Sequence, residues 1–205
     1  FIVFELDNIK DHPILFPVVT IIIMEVFISK MRKLKGIRKM ILIEEAWKAI
    51  AREGMAEYIK YLFKTVRKFF GEAIVVTQEV EDIISSPVVK QAIINNSDCK
   101  ILLDQSKYQN KFDQIQELLG LTEKEKAQVL SINKANDPGK KYKEVFISLG
   151  GMLSKVYRVE VSAEEYLAYT TEETEKFKLM QLAEQFDGNI EKAITHYLNN
   201  KNQVL

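Results

Sequence analysis

The feature that most constrains the fold of this chain is a short apolar run that ends in two acids. Residues 40–43 are Met-Ile-Leu-Ile, and they are followed by Glu44, Glu45 and, two positions later, the only tryptophan, Trp47. Four consecutive apolar residues favour a strand that is buried on both faces of a parallel sheet. Ligands of such sheets bind beyond the carboxyl ends of the strands, where two acids suit a hard divalent cation and a water that must become nucleophilic. The alternative is a strand that simply exits into solvated acids before a helix.

The length and the net charge of the chain limit the size of its core and the partners it can attract. A chain of 205 residues can bury one sizeable core, with room for a small appendage. Lys and Arg total 29, as do Asp and Glu, so no net field of the whole molecule steers it to DNA or to an anionic membrane. Nucleic-acid contact would need a local basic patch, and otherwise the basic runs are solvated faces; the runs are Lys30, Arg32, Lys33, Lys35, Arg38 and Lys39, and Lys60, Lys64 and Lys68.

The single cysteine and the longest apolar stretch exclude several classes of protein. One cysteine, Cys99, permits no disulfide within the chain and favours a reducing cytoplasm. Since His12 and His196 are far from Cys99 in sequence and have no motif around them, we expect a structural rather than a catalytic thiol. Residues 14–28 are mostly apolar, but Pro17 and Glu25 interrupt them, and they fall short of the ~20 residues of a membrane span. We therefore expect a core helix and no direct span.

Strand and helix patterns alternate through the first two thirds of the chain. Thr122 and Glu125 form a capping-box pattern, Gly150-Gly151 is a hairpin signal, and Ser162 can cap a helical region that continues to residue 186. We predict a mostly parallel sheet with helices on both faces and the hairpin as its extension or edge. The predicted strands are 1–6, 38–43, 73–77, 100–103, 142–149 and 152–161, and the predicted helices are 13–35, 46–70, 107–119, 122–132, 162–186 and 190–199.

Two further positions sharpen the interpretation of the acidic strand. Gln78 follows the apolar strand 73–77, and an amide there can sense a γ-phosphate or orient the attacking water, although many such residues only cap a strand. Arg67 lies near the end of the long helix, where it can reach the phosphate of a neighbouring subunit. The alternative for Arg67 is a basic residue that the helix dipole favours.

Three segments in this order and spacing carry a family resemblance. Ile-Glu-Glu-Ala-Trp at 43–47 resembles a Walker B segment, and a long helix follows it, ending in Thr-Val-Arg-Lys-Phe-Phe-Gly at 65–71; Ile-Val-Val-Thr-Gln comes next, at 74–78. Together they resemble the ATPase domain of type IV secretion and conjugation systems, relatives of the HerA and FtsK motors, with the TraG-type ATPases of conjugative transposons as the nearest pattern. Segments 4–7, 155–159 and 162–166 fit the same pattern, so the resemblance covers most of residues 1–185.

The resemblance implies a fold, a ligand and roles for named residues. It implies an α/β, RecA-like P-loop core over residues 1–161, a helical appendage over 162–205, and a ring, expected to be a homo-hexamer, that binds ATP and Mg²⁺ at subunit interfaces. It also implies contacts with conjugation-channel proteins and a cytoplasmic location, at the inner membrane through partners. The implied roles are Glu45 as the base that activates water, Glu44 as the acid that holds Mg²⁺ through water, Gln78 as the sensor, Arg67 as a finger acting in trans, and Lys68 and Thr77 as further nucleotide contacts.

Two departures from the family pattern affect the expected chemistry. The family has Asp where this chain has Glu44, so the carboxylate is displaced by about one methylene, ~1.5 Å. The phosphate loop G-x-x-x-x-G-K-[ST] occurs nowhere in the sequence, and we expect it upstream of Phe1. We therefore expect little ATP hydrolysis by this piece alone. Two alternatives remain open: a non-catalytic docking module that uses helices 171–200, and a DNA-pumping relative.

Overall fold

A computed structural model of the chain describes residues 1–44, 55–78, 92–134 and 142–201. The strands are β1 (Lys39–Glu44), β2 (Gly71–Val76), β3 (Cys99–Leu102), β4 (Tyr142–Leu149) and β5 (Leu153–Glu160). The helices are α1 (Leu15–Lys33), α2 (Met55–Thr65), α3 (Phe112–Leu119), α4 (Glu123–Ser131), α5 (Ala163–Tyr169), α6 (Glu173–Glu184) and α7 (Ile190–Lys201), with 3₁₀ helices at Asp7–Ile9, Val66–Phe69 and Ser106–Lys111. None of the described helices is long and apolar enough to cross a membrane.

Strands β1 and β2 form the parallel pair that the sequence predicts. They are in register from Lys39 opposite Gly71 to Glu44 opposite Val76. Helices α1 and α2 cover one face of this pair, because their apolar side chains form a core against the inward residues of the strands. That core contains Met24, Met31, Ile59, Leu62, Phe63 and Val66, packed on Ile41, Ile43, Ala73 and Val75. Each of the large helix side chains that is fully buried in this core, such as Leu62, contributes about 1.5–3 kcal/mol to the free energy of folding.

The other face of the β1–β2 pair is exposed in this structure. Met40 is 57% exposed and Leu42 56%, and on β2 Ile74 is 36% and Val76 40% exposed. The expectation that β1 is buried on both faces was therefore wrong: β1 alternates between half-buried and exposed residues. The physical reason is that the described helices α1 and α2 both pack on the same face.

The predicted strand at residues 1–6 was also wrong. This segment has no regular structure, and Phe1, Ile2, Val3 and Phe4 are each at least half exposed. Its apolar residues have a strand composition, but a strand needs a partner ladder, and none of the described strands pairs with this segment. The chain becomes regular at the 3₁₀ helix Asp7–Ile9.

The hairpin was predicted correctly, but it belongs to a different sheet. Strand β4 turns into β5 through Gly150 and Gly151, whose φ angles are +56° and +69°, and the N–H of Met152 donates to the carbonyl of Leu149 over 3.1 Å. Positive φ at both central residues defines a type I′ turn, which favours glycine. Among the described strands the sheet order is β3-β4-β5, so the hairpin pairs with β3 and not with β1 or β2.

A buried carboxylate joins helix α4 to this hairpin. Glu125 is only 6% exposed, and its Oε2 accepts from the N–H and the hydroxyl of Thr122 at 2.9 and 3.0 Å. Its Oε1 accepts from the Ser148 hydroxyl on β4 at 3.0 Å, and the N–H of Glu125 donates to the Thr122 hydroxyl in return. The predicted capping box is thus confirmed, and the same side chain also holds the hairpin. Burial alone raises the pKa of Glu125, but hydrogen bonds from Thr122, Ser148 and Ser154 outweigh it and lower the pKa.

The chain divides into two compact units by its internal contacts. One contains residues 1–101, 106–127 and 147–154, and the other contains residues 102–105, 128–146 and 155–205. In the second unit α5, α6 and α7 pack around Leu167, Leu179 and Ile194. The division at residue 161 that the resemblance implies stays a prediction.

The predicted helical region 162–186 is interrupted. Ser162 caps α5 as predicted, and it does so in a reciprocal box that was not predicted: its hydroxyl accepts from the N–H of Glu165, and the Glu165 carboxylate accepts from the N–H of Ser162. The chain then leaves the helix at Thr170, and Glu172 starts α6 by accepting from the N–H groups of Thr174 and Glu175. The predicted helical region therefore consists of two helices, because the Glu172 side chain accepts from the backbone two and three residues later and so begins a second helix.

Candidate active site

The carboxyl edge of the β1–β2 pair brings together three residues that the sequence singled out. Glu44 ends β1 and lies opposite Val76, and Thr77 and Gln78 follow directly. Since paired strands lie about 4.8 Å apart, the backbone of Glu44 is next to that of Val76 and one residue away from that of Thr77. Glu44 and Gln78 are exposed, and Thr77 is half-buried. A carboxylate, a hydroxyl and an amide are therefore carried by neighbouring backbone positions at one edge of the strand pair.

Glu45 and Trp47 lie outside the described residues, so the structure fixes the strand that leads to them and not their side chains. The residues that are described offer only oxygen donors at this edge, from Glu44, Thr77 and Gln78, which suits Mg²⁺ held through its water shell. In the described part of the chain no three His, Cys, Asp or Glu side chains converge as a metal cage. Mg²⁺ does not require a site made of protein ligands alone, because in nucleotide enzymes it keeps waters and substrate phosphates as ligands.

Arg67 and Lys68 lie at the opposite, amino edge of the same strands. Both belong to the 3₁₀ helix Val66–Phe69, which connects α2 to β2, rather than to the α-helix predicted for 46–70. The turn closes through Phe70, with φ of +56°, and through Gly71, where an added Cβ would lie 2.7 Å from Cγ2 of Val66. That spacing leaves no room for a side chain, so this tight connection requires glycine at 71.

The length of β2 separates the two groups of predicted site residues. Six strand residues at about 3.3 Å each place Arg67 and Lys68 roughly 20 Å from Glu44 and Thr77. The structure therefore brings Glu44, Thr77 and Gln78 together and keeps Arg67 and Lys68 apart from them. Within one copy of the chain, Arg67 cannot reach a nucleotide bound beside Glu44.

Sequence reasoning missed the partner of Arg67. Its Nη1 lies 3.8 Å from Oδ2 of Asp98, the residue just before β3. The only sequence signal for this contact is that Arg67 lies in the connection leading into one strand and Asp98 in the connection leading into another, and that signal does not specify which residues will meet. Asp98 is in turn held by the hairpin, since the N–H of Gly150 donates to the Asp98 carbonyl over 2.6 Å.

Two tyrosine pairs between α1 and α2 were also not predicted. Arg32 donates from Nη2 to the Tyr61 hydroxyl over 2.6 Å, and this bond lowers the pKa of Tyr61. The Tyr58 hydroxyl bonds to the Glu25 carboxylate, and this raises the pKa of Tyr58. The four side chains line an open cleft of about 270 Å³, and because they satisfy one another they act as cross-links between the two helices.

Several basic side chains of the run at residues 30–39 bind other groups of the same chain. Arg32 bonds Tyr61, Arg38 pairs with Glu72, and Lys39 donates to the carbonyls of Met31 and Leu34 at the end of α1. A lysine at that position stabilises the last carbonyls of a helix. These contacts support the interpretation of the run as a solvated face, and nucleic-acid contact, the less favoured alternative, stays untested.

The cysteine and the first histidine have local surroundings of their own. Cys99, for which we expect a structural role, is exposed at the start of β3. The Nδ1 atom of His12 accepts from the N–H groups of Ile14 and Leu15 at 3.3 and 3.1 Å, so this histidine caps α1. The start of α1 at residue 15, two residues after the predicted start, follows from this cap.

The fold is similar to that of a solved structure. The VirB4 structure of Thermoanaerobacter pseudethanolicus aligns with a TM-score of 0.52 and 22% sequence identity, over 80% of this chain and 41% of that chain. The present chain thus spans about two fifths of that protein, and at this identity the likeness concerns the fold, an α/β P-loop arrangement with a parallel sheet and helices. A comparison with curated proteins found no match.

The sequence itself matches a family profile over nearly its whole length. The profile described as the TraG P-loop domain matches residues 1–201, which include both edges of the β1–β2 pair. The resemblance noted in the acidic strand, the long helix and the Thr-Gln strand end is thereby confirmed. The chain belongs to the TraG P-loop domain family.

Proposed function

We propose that this chain is part of an ATPase subunit that energises conjugative DNA transfer or the assembly of a type IV secretion channel. The observation that carries the proposal is the parallel register of β1 and β2, which sets Glu44 beside Val76, Thr77 and Gln78 at the carboxyl edge. In parallel α/β sheets this edge is where nucleotides bind. Membership of the TraG P-loop family supports the same reading.

Each residue at the carboxyl edge has its own role in the proposed hydrolysis of ATP. Mg²⁺, when bound, neutralises charge that develops on the phosphates, and Glu44 would hold it through a water ligand. Glu45 would take the proton of the attacking water, Gln78 would orient that water, and Thr77 would contact the nucleotide. This chain has no G-x-x-x-x-G-K-[ST] loop, so we propose that the phosphates are cradled by another part of the full-length protein and that residues 1–205 alone hydrolyse little ATP.

Arg67 would act between subunits. Because about 20 Å separate it from Glu44 in one copy, it can serve only a nucleotide held by a neighbouring copy. Its side chain is 90% exposed at the amino edge, as a group that reaches outward requires. Lys68, in the same turn, would contact the nucleotide across the same interface. A head-to-tail contact of this kind closes into a ring, and we propose a homo-hexamer.

The partners follow from the role. We propose that the ring binds channel proteins of the secretion machinery and through them reaches the cytoplasmic face of the inner membrane. The sequence has no net charge, so we assign no nucleic-acid surface to this part of the protein.

The test is Glu45→Gln in the full-length protein. We expect ATP hydrolysis to fall by about 10²- to 10⁴-fold, because a general base contributes that much, while ATP binding is retained. The matched control is Glu57→Gln on α2, an exposed glutamate that pairs with Lys60 at 3.2 Å. Normal DNA transfer and normal hydrolysis by Glu45→Gln would refute the catalytic role.

A second candidate function is supported by the surface of the C-terminal helices. Tyr169 on α5 is 78% exposed, and Phe177 and Met180 on α6 are 61% and 56% exposed, so these helices offer apolar side chains to a partner. A non-catalytic docking module would use such residues to bind a protein of the secretion machinery. Full partner binding by a protein lacking residues 163–205 would count against this second function.

A further inference from the structure

One ion pair links the proposed finger to a residue without an assigned role. Arg67 and Asp98 approach to 3.8 Å between Nη1 and Oδ2, and their side chains are 90% and 81% exposed. The two residues lie in separate connections: Arg67 is in the 3₁₀ helix that leads into β2, and Asp98 is the residue before β3. Their contact therefore ties the start of one sheet to the start of the other.

Asp98 is held in place from two directions. On the hairpin side, the N–H of Gly150 donates to the Asp98 carbonyl over 2.6 Å. On the other side, the connection before it is closed by the Asn96 amide, which donates to the Ala92 carbonyl over 2.7 Å, and by the Ser97 hydroxyl, which donates to the Ile93 carbonyl over 2.6 Å. The carboxylate of Asp98 thus projects from a fixed backbone.

The backbone of Arg67 is equally fixed, but its long side chain is not. The Val66–Phe69 turn has no free space at Gly71, where an added Cβ would meet Val66 at 2.7 Å. An arginine side chain that is 90% exposed has many rotamers, and holding it in one direction requires a partner. Asp98 is placed to supply that partner through one edge of the guanidinium.

We propose that Asp98 is a positioning residue for Arg67, which directs the guanidinium outward from the amino edge toward the phosphate of a second copy of the chain. This inference rests on the proposed function, in which Arg67 acts in trans. A guanidinium carries five donors in a rigid fork. While Nη1 faces Asp98, the remaining donors are available to a phosphate, so both contacts can exist together.

The experiment measures steady-state ATP hydrolysis by the full-length protein carrying Asp98→Asn, Asp98→Glu, Arg67→Ala, or Arg67→Ala with Asp98→Asn. An exposed ion pair has a modest effect, so we expect Asp98→Asn to lower kcat about two- to fivefold with KM for ATP unchanged. Asp98→Glu, which keeps the charge, restores part of the loss. In the Arg67→Ala background, Asp98→Asn has no further effect, since its target is gone.

The control and the overturning results are defined by the same series. Glu57→Gln removes another exposed ion pair, with Lys60, and leaves kcat unchanged. Unchanged or increased kcat in Asp98→Asn, or an equal loss in the presence and absence of Arg67, overturns the positioning role. If Arg67→Ala itself retains full kcat, the proposed role of Arg67 in trans is refuted. If Arg67→Ala lowers kcat but the Asp98 variants do not, the proposed function stands and only the positioning role of Asp98 is refuted.

Discussion

Two carboxylates in this chain have opposite surroundings. Glu44, at the carboxyl edge of β1, is exposed, whereas Glu125, at the start of α4, is 6% exposed and accepts hydrogen bonds from Thr122 and Ser148. The Glu44 carboxylate is open to solvent at the edge that we propose as the nucleotide site, and the oxygens of Glu125 are occupied by donors of the protein. The same side chain can thus be kept accessible to a ligand or be used to hold the fold together.

The largest expected effect concerns the open carboxylate. Glu44→Gln in the full-length protein should lower kcat/KM for MgATP by about 10- to 100-fold, the usual effect of losing a residue that orients metal ligands. Folding stability should change by less than about 0.5 kcal/mol, because Glu44 is exposed. ATPase assays over a range of Mg²⁺ concentrations, together with urea unfolding, measure both. A large loss of stability with unchanged activity would show that Glu44 serves folding and not catalysis.

The next effect concerns the filled carboxylate. Glu125→Gln should lower the free energy of unfolding by about 1.5–3 kcal/mol, since charged hydrogen bonds to Thr122 and Ser148 are weakened in a buried place. Urea unfolding of the two proteins at neutral pH measures this difference. Glu117→Gln, on the neighbouring helix α3, is a glutamate control. Equal stability of Glu125→Gln and the parent would show that the buried network contributes nothing.

The pH dependence of that difference has a definite sign. The pKa of Glu125 is lowered in the folded protein, so its contribution is complete above the ordinary pKa of a glutamate and disappears as the pH falls through the lowered value. The stability gap between the parent and Glu125→Gln should therefore shrink on acidification below the ordinary carboxyl range. Unfolding curves at a series of acidic pH values test it, and a gap that widens there would contradict the hydrogen-bond origin of the shift.

A smaller effect separates the two ends of the Glu125 network. Ser148→Ala removes the bond from β4 to Oε1, 3.0 Å long, and should lower the free energy of unfolding by about 1 kcal/mol. The bonds from Thr122 and from Ser154 on β5 remain, so α4 should stay intact while β4 loosens. Hydrogen exchange of the β4 amides, compared with those of α4, would detect this difference. Equal loosening of both elements would mean that the network acts as one unit.

The parts of the fold that sequence predicted are those specified by nearby residues. The Thr122–Glu125 box, the cap at Ser162 and the Gly150-Gly151 turn each depend on residues at most three positions apart, so the chain's local chemistry determines them. The parallel pairing of β1 and β2 followed from their apolar runs and from the helix pattern between them.

The failures share a different cause. The apolar residues at 1–6 look like a strand, but strand formation depends on a partner that local sequence does not identify. The pairing of Arg67 with Asp98, and of Ser148 with Glu125, joins residues far apart in the chain, and only the folded topology selects them. In the candidate site, the sequence singled out Glu44, Thr77 and Gln78 because each ends or follows a strand, and it placed Arg67 before the second strand. It could not show that Arg67 meets Asp98.

The absence of space at Gly71 has a mechanical consequence. An added Cβ at Gly71 would meet Val66 at 2.7 Å, so the connection from Arg67 into β2 has little room to change its shape, and β2 leads from it to Gln78. In the ring that we propose, a displacement of the Gln78 end of β2 in one subunit would therefore be passed along the strand to Arg67 and from there to the neighbouring subunit.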